Sequence, residues 1–208
     1  GFTNVWLIVG HLHEQIQEYF GDGSRFGIDI QYFIEEIPLG TVGGVKALEA
    51  HLTEPFLVLY GDVMMNMDLE KLVIFHQDKG ADATLVVHPN DHPYDSDLLD
   101  VDGRDRVTAF YPKPHPEDLR YRNLVNAAAY VFSPSVLTKL EAGVKADFGK
   151  DIFPWLYKEL KVYAYNTPEY LKDMGTPDRL SKVEQAISSG KVAQRNLKNP
   201  QRCIFLDR

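Results

Sequence analysis

Two aspartates in this sequence each follow a short apolar segment and lie beside a glycine. Asp62 comes after the apolar run 56–60 and Gly61, and Asp173 comes after a shorter run and is followed by Gly175. Acids at the carboxyl ends of strands lie where α/β sheets bind ligands, and Mg²⁺ prefers oxygen ligands. The pattern predicts that Asp62 and Asp173 share one Mg²⁺. In the alternative interpretation each acid caps the turn or helix that follows it, and the spacing alone does not exclude this.

A glycine-rich segment, residues 39–44, lies between a predicted strand and a predicted helix. Glycines allow a ligand such as a base or a sugar to approach the backbone closely. The spacing of these glycines matches neither the dinucleotide-binding fingerprint nor the phosphate loop. The segment therefore predicts either a ligand-binding loop or an ordinary turn.

Lys113 lies between Pro112 and Pro114, directly after a predicted strand. A lysine whose backbone is restricted in this way could provide a fixed positive charge for a phosphate group. The alternative is an ordinary solvated lysine, and the sequence by itself leaves both interpretations open.

The elements that must position these residues alternate between strands and helices, which is typical of an α/β sheet with helices on both faces. Asp68 and the pairs at 133–134 and 176–177 are predicted helix caps, and Asp102-Gly103 predicts a two-residue hairpin turn. Because of this hairpin we expect a mixed sheet with some antiparallel pairing. The apolar and β-branched runs predict strands at Val5–Val9, Ile28–Phe33, Phe56–Tyr60, Ala83–His88, Val107–Tyr111, Val125–Phe132 and Lys161–Tyr165.

The composition excludes several classes of protein. The 208 residues carry 22 Lys+Arg and 30 Asp+Glu, a net charge of −8, which argues against nonspecific binding of nucleic acid. No apolar run approaches the roughly 20 residues of a membrane-spanning helix. Cys203 is the single cysteine and cannot form an internal disulfide, which fits a reducing compartment such as the cytoplasm. An anionic ligand must then be small and bound by local cations, backbone N–H groups or a metal ion.

Taken in order, these motifs resemble the sugar-1-phosphate nucleotidylyltransferases, also called NDP-sugar pyrophosphorylases. The resemblance is carried by F-G-D-G-S-x-F-G at 20–27, E-x-x-P-L-G-T-x-G at 35–43, Gly61-Asp62, P-K-P at 112–114, the segment 126–130 and D-M-G-T-P at 173–177. It covers about Val5 to Ile187 and is strongest for the mannose- or heptose-1-phosphate guanylyltransferases. It implies a Rossmann-like, mixed and mainly parallel sheet.

The resemblance also implies an activity and the residues that perform it. The expected reaction is Mg²⁺-dependent transfer of a nucleotidyl group from a nucleoside triphosphate, with GTP favoured, to a sugar 1-phosphate. The resemblance permits a homo-oligomer. The implied roles are catalysis for Asp62, Asp173 and Lys113; Mg²⁺ binding for Asp62 and Asp173; nucleotide binding for Glu35, Gly40, Thr41 and Gly61; and sugar binding for Asn126 and Lys113.

The sequence departs from the family pattern in several places. The family's G-x-G-T-R-L loop, which holds the triphosphate, matches nothing in the 208 residues. Pro112 stands where the family usually has a glutamate, and Ala128 stands where it usually has a glycine. Because of the missing loop we expect this segment alone to be weakly active or inactive, whereas the changes at Pro112 and Ala128 bear on which sugar is bound. A non-catalytic module that binds or senses nucleotide sugars on the same fold is the alternative.

Both ends of the sequence predict a segment of a longer protein. We expect a nucleotidylyltransferase-like domain at 1–195 without its first strand and loop. Residues 196–208 are predicted to be a linker and the start of a second domain. Residues 204–208, Ile-Phe-Leu-Asp-Arg, resemble the first strand of a haloacid dehalogenase-like phosphatase. A fused phosphatase domain is thus one expected partner, and a coincidental apolar run is the alternative.

Overall fold

Strands and helices alternate along the chain in the computed structural model, which describes residues 2–90, 93–116 and 120–192. The strands are β1 Asn4–Val9, β2 Asp29–Ile34, β3 Phe56–Leu59, β4 Val63–Asn66, β5 Ala83–His88, β6 Leu98–Val101, β7 Val107–Tyr111, β8 Val125–Phe132, β9 Val162–Asn166 and β10 Tyr170–Asp173. The α-helices are α1 His13–Phe20, α2 Gly40–Ala47, α3 Leu69–Lys79, α4 Phe153–Glu159 and α5 Pro177–Ser188. Short 3-10 helices span Ser24–Phe26, Pro93–Asp95 and Pro134–Lys139, and a π-helix spans Phe148–Ile152. The seven strands predicted from apolar runs all form, each within one residue of its expected ends.

The main sheet has six strands, in the order β7-β6-β8-β5-β9, with β3 also paired to β8. It is mixed, as expected. Among the described strands of this sheet, however, β5 and β9 form the one parallel pair, and the other neighbours are antiparallel. The reason is that β8 lies between β3 and β5 and runs against both. Strands β3, β5 and β9 therefore share one direction, as a mainly parallel sheet requires, without all being neighbours.

Strand β8 divides the hydrophobic core into two parts, because successive side chains of a strand point to opposite faces. On one face Tyr130 and Phe132 pack against the rings of Phe148 and Phe153. On the other face Ala127, Ala129 and Val131 form a second buried cluster with Leu72 of α3. Helical segments thus cover both faces of the sheet, as the sequence predicted.

The glycine-rich segment 39–44 is not a loop, which corrects the first interpretation given above. Helix α2 begins at Gly40 and includes Gly43 and Gly44, both of them buried. A Cβ atom on Gly44 would overlap the side chain of Ile8 in β1, and one on Gly43 would overlap Leu39. Gly44 therefore lets α2 pack closely against β1, and Gly43 leaves room for the side chain of Leu39. This packing accounts for both glycines without a ligand.

Two of the three predicted helix caps are confirmed. The side chains of Asp68 and Thr176 accept hydrogen bonds from the backbone N–H groups of Lys71 (3.2 Å) and Arg179 (3.3 Å). Ser133 does lie at the N-cap position of the 3-10 helix Pro134–Lys139, but its hydroxyl does not cap that helix, because it donates to the carbonyl oxygen of Ala81 (3.0 Å). The hydroxyl that the local pattern assigned to a cap instead forms a hydrogen bond with a residue distant in the sequence.

The predicted hairpin forms between β6 and β7, but its turn is longer than two residues. The strands pair from Val101 with Val107, so residues 102–106 make the turn. Asp102 accepts hydrogen bonds from the N–H groups of Arg104 (2.8 Å) and Arg106 (3.0 Å) through its side chain, and Asp105 has φ of 66°. The Asp102 carboxylate therefore organises a five-residue turn.

Ala128, in the middle of β8, has a backbone conformation that favours glycine. Its φ is 55°, in the left-handed region, which costs an L-residue about 1–2 kcal/mol. The family pattern also has glycine at this position. The backbone conformation at position 128 therefore favours glycine over the alanine that is present.

We predict that Ala128→Gly leaves the free energy of unfolding unchanged or raises it by up to about 1 kcal/mol. Relief of the left-handed conformation offsets the roughly 0.5–1 kcal/mol of chain entropy that glycine costs. Ala129→Gly is the matched control on the same strand, since Ala129 is fully buried and has no positive φ. It should lose about 1 kcal/mol or more. Urea unfolding curves measure both, and equal losses in the two variants would contradict the prediction.

Candidate functional site

The two aspartates predicted to share a metal ion lie side by side. Strands β4 and β10 pair antiparallel, and this pairing places Asp173 opposite Val63, the residue that follows Asp62. The N–H group of Met174 donates to the carbonyl oxygen of Asp62 at 2.7 Å, which ties the two chain segments together beyond the strands. The predicted convergence of the acids is therefore present in the fold.

Gly175 marks the space into which both carboxylates point. A Cβ atom built on Gly175 would lie 3.5 Å from Asp173 Oδ1 and 3.6 Å from Asp62 Oδ2. Both oxygens are thus within van der Waals reach of one point, which the absent side chain leaves open. Carboxylate oxygens arranged in this way fit Mg²⁺, a hard ion that is commonly bound by one or two carboxylates together with substrate phosphates. Among the described residues no cluster of three or more potential metal ligands occurs, so this pair does not form an all-protein cage.

Arg179, on the first turns of α5, offsets part of the negative charge of the acid pair. Its Nη1 atom lies 2.7 Å from Asp173 Oδ1, and its Nη2 atom lies 3.6 Å from Asp95 Oδ2. Asp173 Oδ1 also accepts a hydrogen bond from the N–H of Gly175 at 3.1 Å. These contacts hold one oxygen of Asp173 and so fix the orientation of the carboxylate beside Asp62.

A cavity of about 1170 Å³ opens beside the acid pair. Its walls include three of the residues predicted from the sequence: Asp173, Lys113 and Asn126. Asn126 reaches the cavity because β8 runs against β5, so that the start of β8 lies next to the end of β5 at Val87. The N–H of Lys113 donates to Asp97 Oδ1 at 3.2 Å, which fixes the backbone of Lys113 at the cavity wall.

Thr41 lies outside the cavity walls but is linked to them. Its hydroxyl donates to Asp147 Oδ2 at 2.8 Å and accepts from the N–H of Phe148 at 2.9 Å. Gly40 has φ of 75°, and a Cβ atom there would overlap the carbonyl oxygen of Ala146. Gly40 and Thr41 therefore attach the start of α2 to the segment that carries Asp147 into the cavity.

The other two predicted nucleotide-binding residues are not among the cavity walls. Glu35 follows β2, and among the described residues its buried Oε1 atom has no hydrogen-bond partner. A Cβ atom on Gly61 would meet nothing within 4 Å, so the described chain places no steric demand for glycine there. The fold thus brings Asp62, Asp173, Lys113 and Asn126 to one region and leaves Glu35 beside α2.

Two tyrosines that no sequence motif assigned to the site form part of the cavity. Tyr60 directly follows β3 and Tyr130 lies within β8, and their rings meet edge to face at 5.9 Å. The Tyr130 hydroxyl accepts a hydrogen bond from Asn126 Nδ2 at 3.0 Å, and burial raises the pKa of both tyrosines well above the usual value. Both therefore stay protonated at neutral pH. The position of Tyr60, next to Gly61-Asp62, is the signal that could have identified it.

Comparison with known proteins identifies the family of this chain. The model of the nucleotidyl transferase family matches residues 1–190. This chain belongs to the nucleotidyl transferase family. Among its relatives, the mannose-1-phosphate guanylyltransferase of Mycobacterium tuberculosis is 34% identical over 86% of this chain and 50% of its own length. The UTP–glucose-1-phosphate uridylyltransferase of Synechocystis is 31% identical over 97% of this chain and 54% of its own length.

A solved structure shows the same fold. HddC from Yersinia pseudotuberculosis superposes with a TM-score of 0.75 at 21% identity, covering 90% of this chain and 80% of that one. This nucleotidyl transferase chain spans about half the length of the curated relatives it matches.

In the described ranges, which have gaps at 91–92 and 117–119, no helix is long and apolar enough to span a membrane. The predicted linker and phosphatase-like strand at 196–208, with Cys203, lie outside the described residues.

We predict that Thr41→Val destabilises the fold by about 1–2 kcal/mol, because it leaves the Phe148 N–H and Asp147 Oδ2 without their partner. Thr41→Ser is the matched control, since it keeps the hydroxyl and should retain most of the stability. Urea unfolding at pH 7 measures the difference. Indistinguishable unfolding free energies for the valine and serine variants would show that the hydroxyl contributes nothing there.

Proposed function

We infer that this chain provides the metal-binding and sugar-binding parts of a Mg²⁺-dependent transfer of a nucleotidyl group, from GTP in preference to other nucleoside triphosphates, to a sugar 1-phosphate. One observation carries the proposal: the carboxylates of Asp62 and Asp173 converge beside Gly175, at the side of a cavity that also contains Lys113 and Asn126. Membership of the nucleotidyl transferase family and the substrates named for its relatives support it.

Each side chain has a definite part in this proposal. Asp62 and Asp173 would hold Mg²⁺, whose chemistry is to neutralise phosphate charge during the transfer. Lys113 would bind the phosphate of the sugar 1-phosphate, and Asn126 would bind the sugar. The proposed nucleotide-binding residues are Glu35, Gly40, Thr41 and Gly61. The Glu35 Oε1 atom, which has no partner among the described residues, is compatible with a hydrogen bond to the base.

The reaction itself makes modest demands on the protein. A phosphate oxygen of the sugar 1-phosphate attacks the α-phosphorus of the triphosphate, a new P–O bond forms, and the bond to the leaving pyrophosphate breaks. Positioning and charge neutralisation dominate such transfers, and little covalent chemistry falls to side chains. The acid pair and Lys113, beside the same cavity, are suited to that task.

The choice of GTP rests on the relatives. The M. tuberculosis relative is a guanylyltransferase, and HddC is also known in complex with GMP-PN. The Synechocystis relative is a uridylyltransferase, so the base must be tested directly. The second candidate is a non-catalytic module that binds nucleotide sugars, which would use the same cavity with Lys113 and Asn126 but would not require turnover.

We predict that Mg²⁺ with GTP raises the melting temperature of the purified chain more than Mg²⁺ with UTP, dTTP, ATP or CTP, since a ligand stabilises the state that binds it. Mannose 1-phosphate and glucose 1-phosphate should raise it independently. Release of pyrophosphate from GTP and mannose 1-phosphate should be slow, because the loop that would supply much of the charge stabilisation has no match in the sequence. Binding without any turnover would favour the second candidate, and no stabilisation by any nucleotide would contradict both.

We predict that Asp62→Asn and Asp173→Asn each weaken Mg²⁺-dependent nucleotide binding by about tenfold or more, because each removes a charged metal ligand. Asp78→Asn, on the exposed surface of α3, is the charge-matched control and should bind as the unmodified chain does. Isothermal titration with GTP, with Mg²⁺ and with EDTA, separates the metal-dependent part. Unchanged Mg²⁺-dependent affinity in both site variants would remove the metal assignment.

A further inference from the structure

The carboxylates of the cavity wall differ in how far their oxygens are already used. Three of the five in the described chain bind donors through both oxygens. Asp95 accepts from Ser96 and lies beside Arg179; Asp147 accepts from Thr41, Gly149 and Lys150; Glu169 accepts from Asp68 and Thr167. Asp173 belongs to the acid pair. These four are committed to the structure or to the proposed metal ion.

Asp97 is the exception. Its Oδ1 atom accepts a hydrogen bond from the N–H of Lys113 at 3.2 Å. Among the described residues no donor is bound to its Oδ2 atom. A carboxylate oxygen in a cavity wall is a strong acceptor, and charge-assisted hydrogen bonds are roughly twice as strong as neutral ones. Asp97 is thus the cavity carboxylate with an acceptor to offer a ligand.

The backbone around Asp97 holds the carboxylate in a defined place. Its carbonyl oxygen accepts from the N–H of Asn126 at 3.0 Å, which ties it to the start of β8. On the other side, a Cβ atom on Gly149 would overlap Asp97 Oδ2, although the φ of Gly149 is not positive. Glycine at 149 is therefore needed for space, and the space is taken by this carboxylate. The negative charge of Asp97 also raises the pKa of Tyr60 and Tyr130 on the cavity wall.

A sugar 1-phosphate offers two kinds of group to such a wall, a phosphate anion and a set of hydroxyl donors. The backbone of Lys113, the residue proposed to bind the phosphate, holds the carboxylate of Asp97, and Asn126 lies beside it. A carboxylate near the proposed phosphate site repels the phosphate, and hydrogen bonds from sugar hydroxyl groups to the carboxylate would offset that cost. Hydroxyl recognition is therefore a ligand chemistry that suits an acid at this position.

The geometry points to Asp97 as the residue that selects the sugar, through hydrogen bonds from sugar hydroxyl groups to its Oδ2 atom. This assignment rests on the proposed function, because it requires a sugar phosphate in the cavity. It gives Asp97 a substrate contact that the sequence motifs did not indicate. It also explains Gly149, whose missing side chain leaves the carboxylate its place.

The test compares binding of mannose 1-phosphate, glucose 1-phosphate and inorganic phosphate by isothermal titration, using the full 208-residue chain. Asp97→Asn keeps an acceptor for Lys113 but loses the charge, and Gly149→Ala displaces the carboxylate. Both should weaken binding of the preferred sugar phosphate about tenfold, the loss of one charge-assisted hydrogen bond. Binding of inorganic phosphate should be unchanged or tighter, and Asp78→Asn should change neither.

The outcomes separate this assignment from the proposed function. If the unmodified chain binds the sugar phosphate and Asp97→Asn binds it equally well or more tightly, Asp97 only repels the phosphate and the assignment is wrong. If the unmodified chain binds neither sugar phosphate, the proposed function fails, and the assignment with it. Monodeoxy analogues of mannose 1-phosphate identify the hydroxyl group. For the correct analogue, Asp97→Asn should cause no further loss.

Discussion

The antiparallel pairing of β4 with β10 is the constraint on which the candidate site depends. It places two carboxylates from distant parts of the chain beside one glycine, where their mutual repulsion is unfavourable. Arg179 relieves part of that repulsion from one side, and a divalent cation would relieve the rest from the other. The β4–β10 pairing therefore holds two negative charges close together, and binding of a divalent cation with its phosphate ligands would relieve their repulsion. The cavity, with its two tyrosines and Lys113, lies beside this pair of charges.

Much of the fold could be predicted from the sequence, because local patterns determine it. The seven strands are runs of apolar and β-branched residues whose burial does not depend on which neighbour covers them. Asp62 and Asp173 could be placed together because each lies at the end of a predicted strand, where α/β sheets gather ligand-binding acids. The antiparallel pairing of β4 with β10, which actually brings them together, was not predicted. Thr176 and Asp68 cap helices within three residues of themselves, so their partners are visible in the sequence.

The parts that could not be predicted depend on contacts between distant residues. Nothing near Thr41 indicates that its hydroxyl binds Asp147 and Phe148, more than 100 positions away. Gly43 and Gly44 could be taken for a ligand loop because the approach of Ile8, which explains Gly44, appears only in the fold. The Ser133 hydroxyl could be taken for a helix cap because its acceptor, the carbonyl oxygen of Ala81, lies 52 positions away in the sequence. Asp97 carries no motif, and its significance comes from neighbours on three separate segments.

The reversed direction of β8 has a consequence for how such a site can change in evolution. Strand β5 delivers His88 to the cavity from its last residue, and Tyr60 directly follows β3, whereas β8 delivers Asn126 from its second residue. The residues at the start of β8 therefore lie at the cavity, whereas Ser133, directly after β8, lies beside Asp82 at the opposite end of β5. An insertion directly before Val125 would therefore reshape the cavity, whereas an insertion directly after Phe132 would fall at the other end of the strand. The two ends of β8 thus differ in how strongly an insertion beside them would change the cavity.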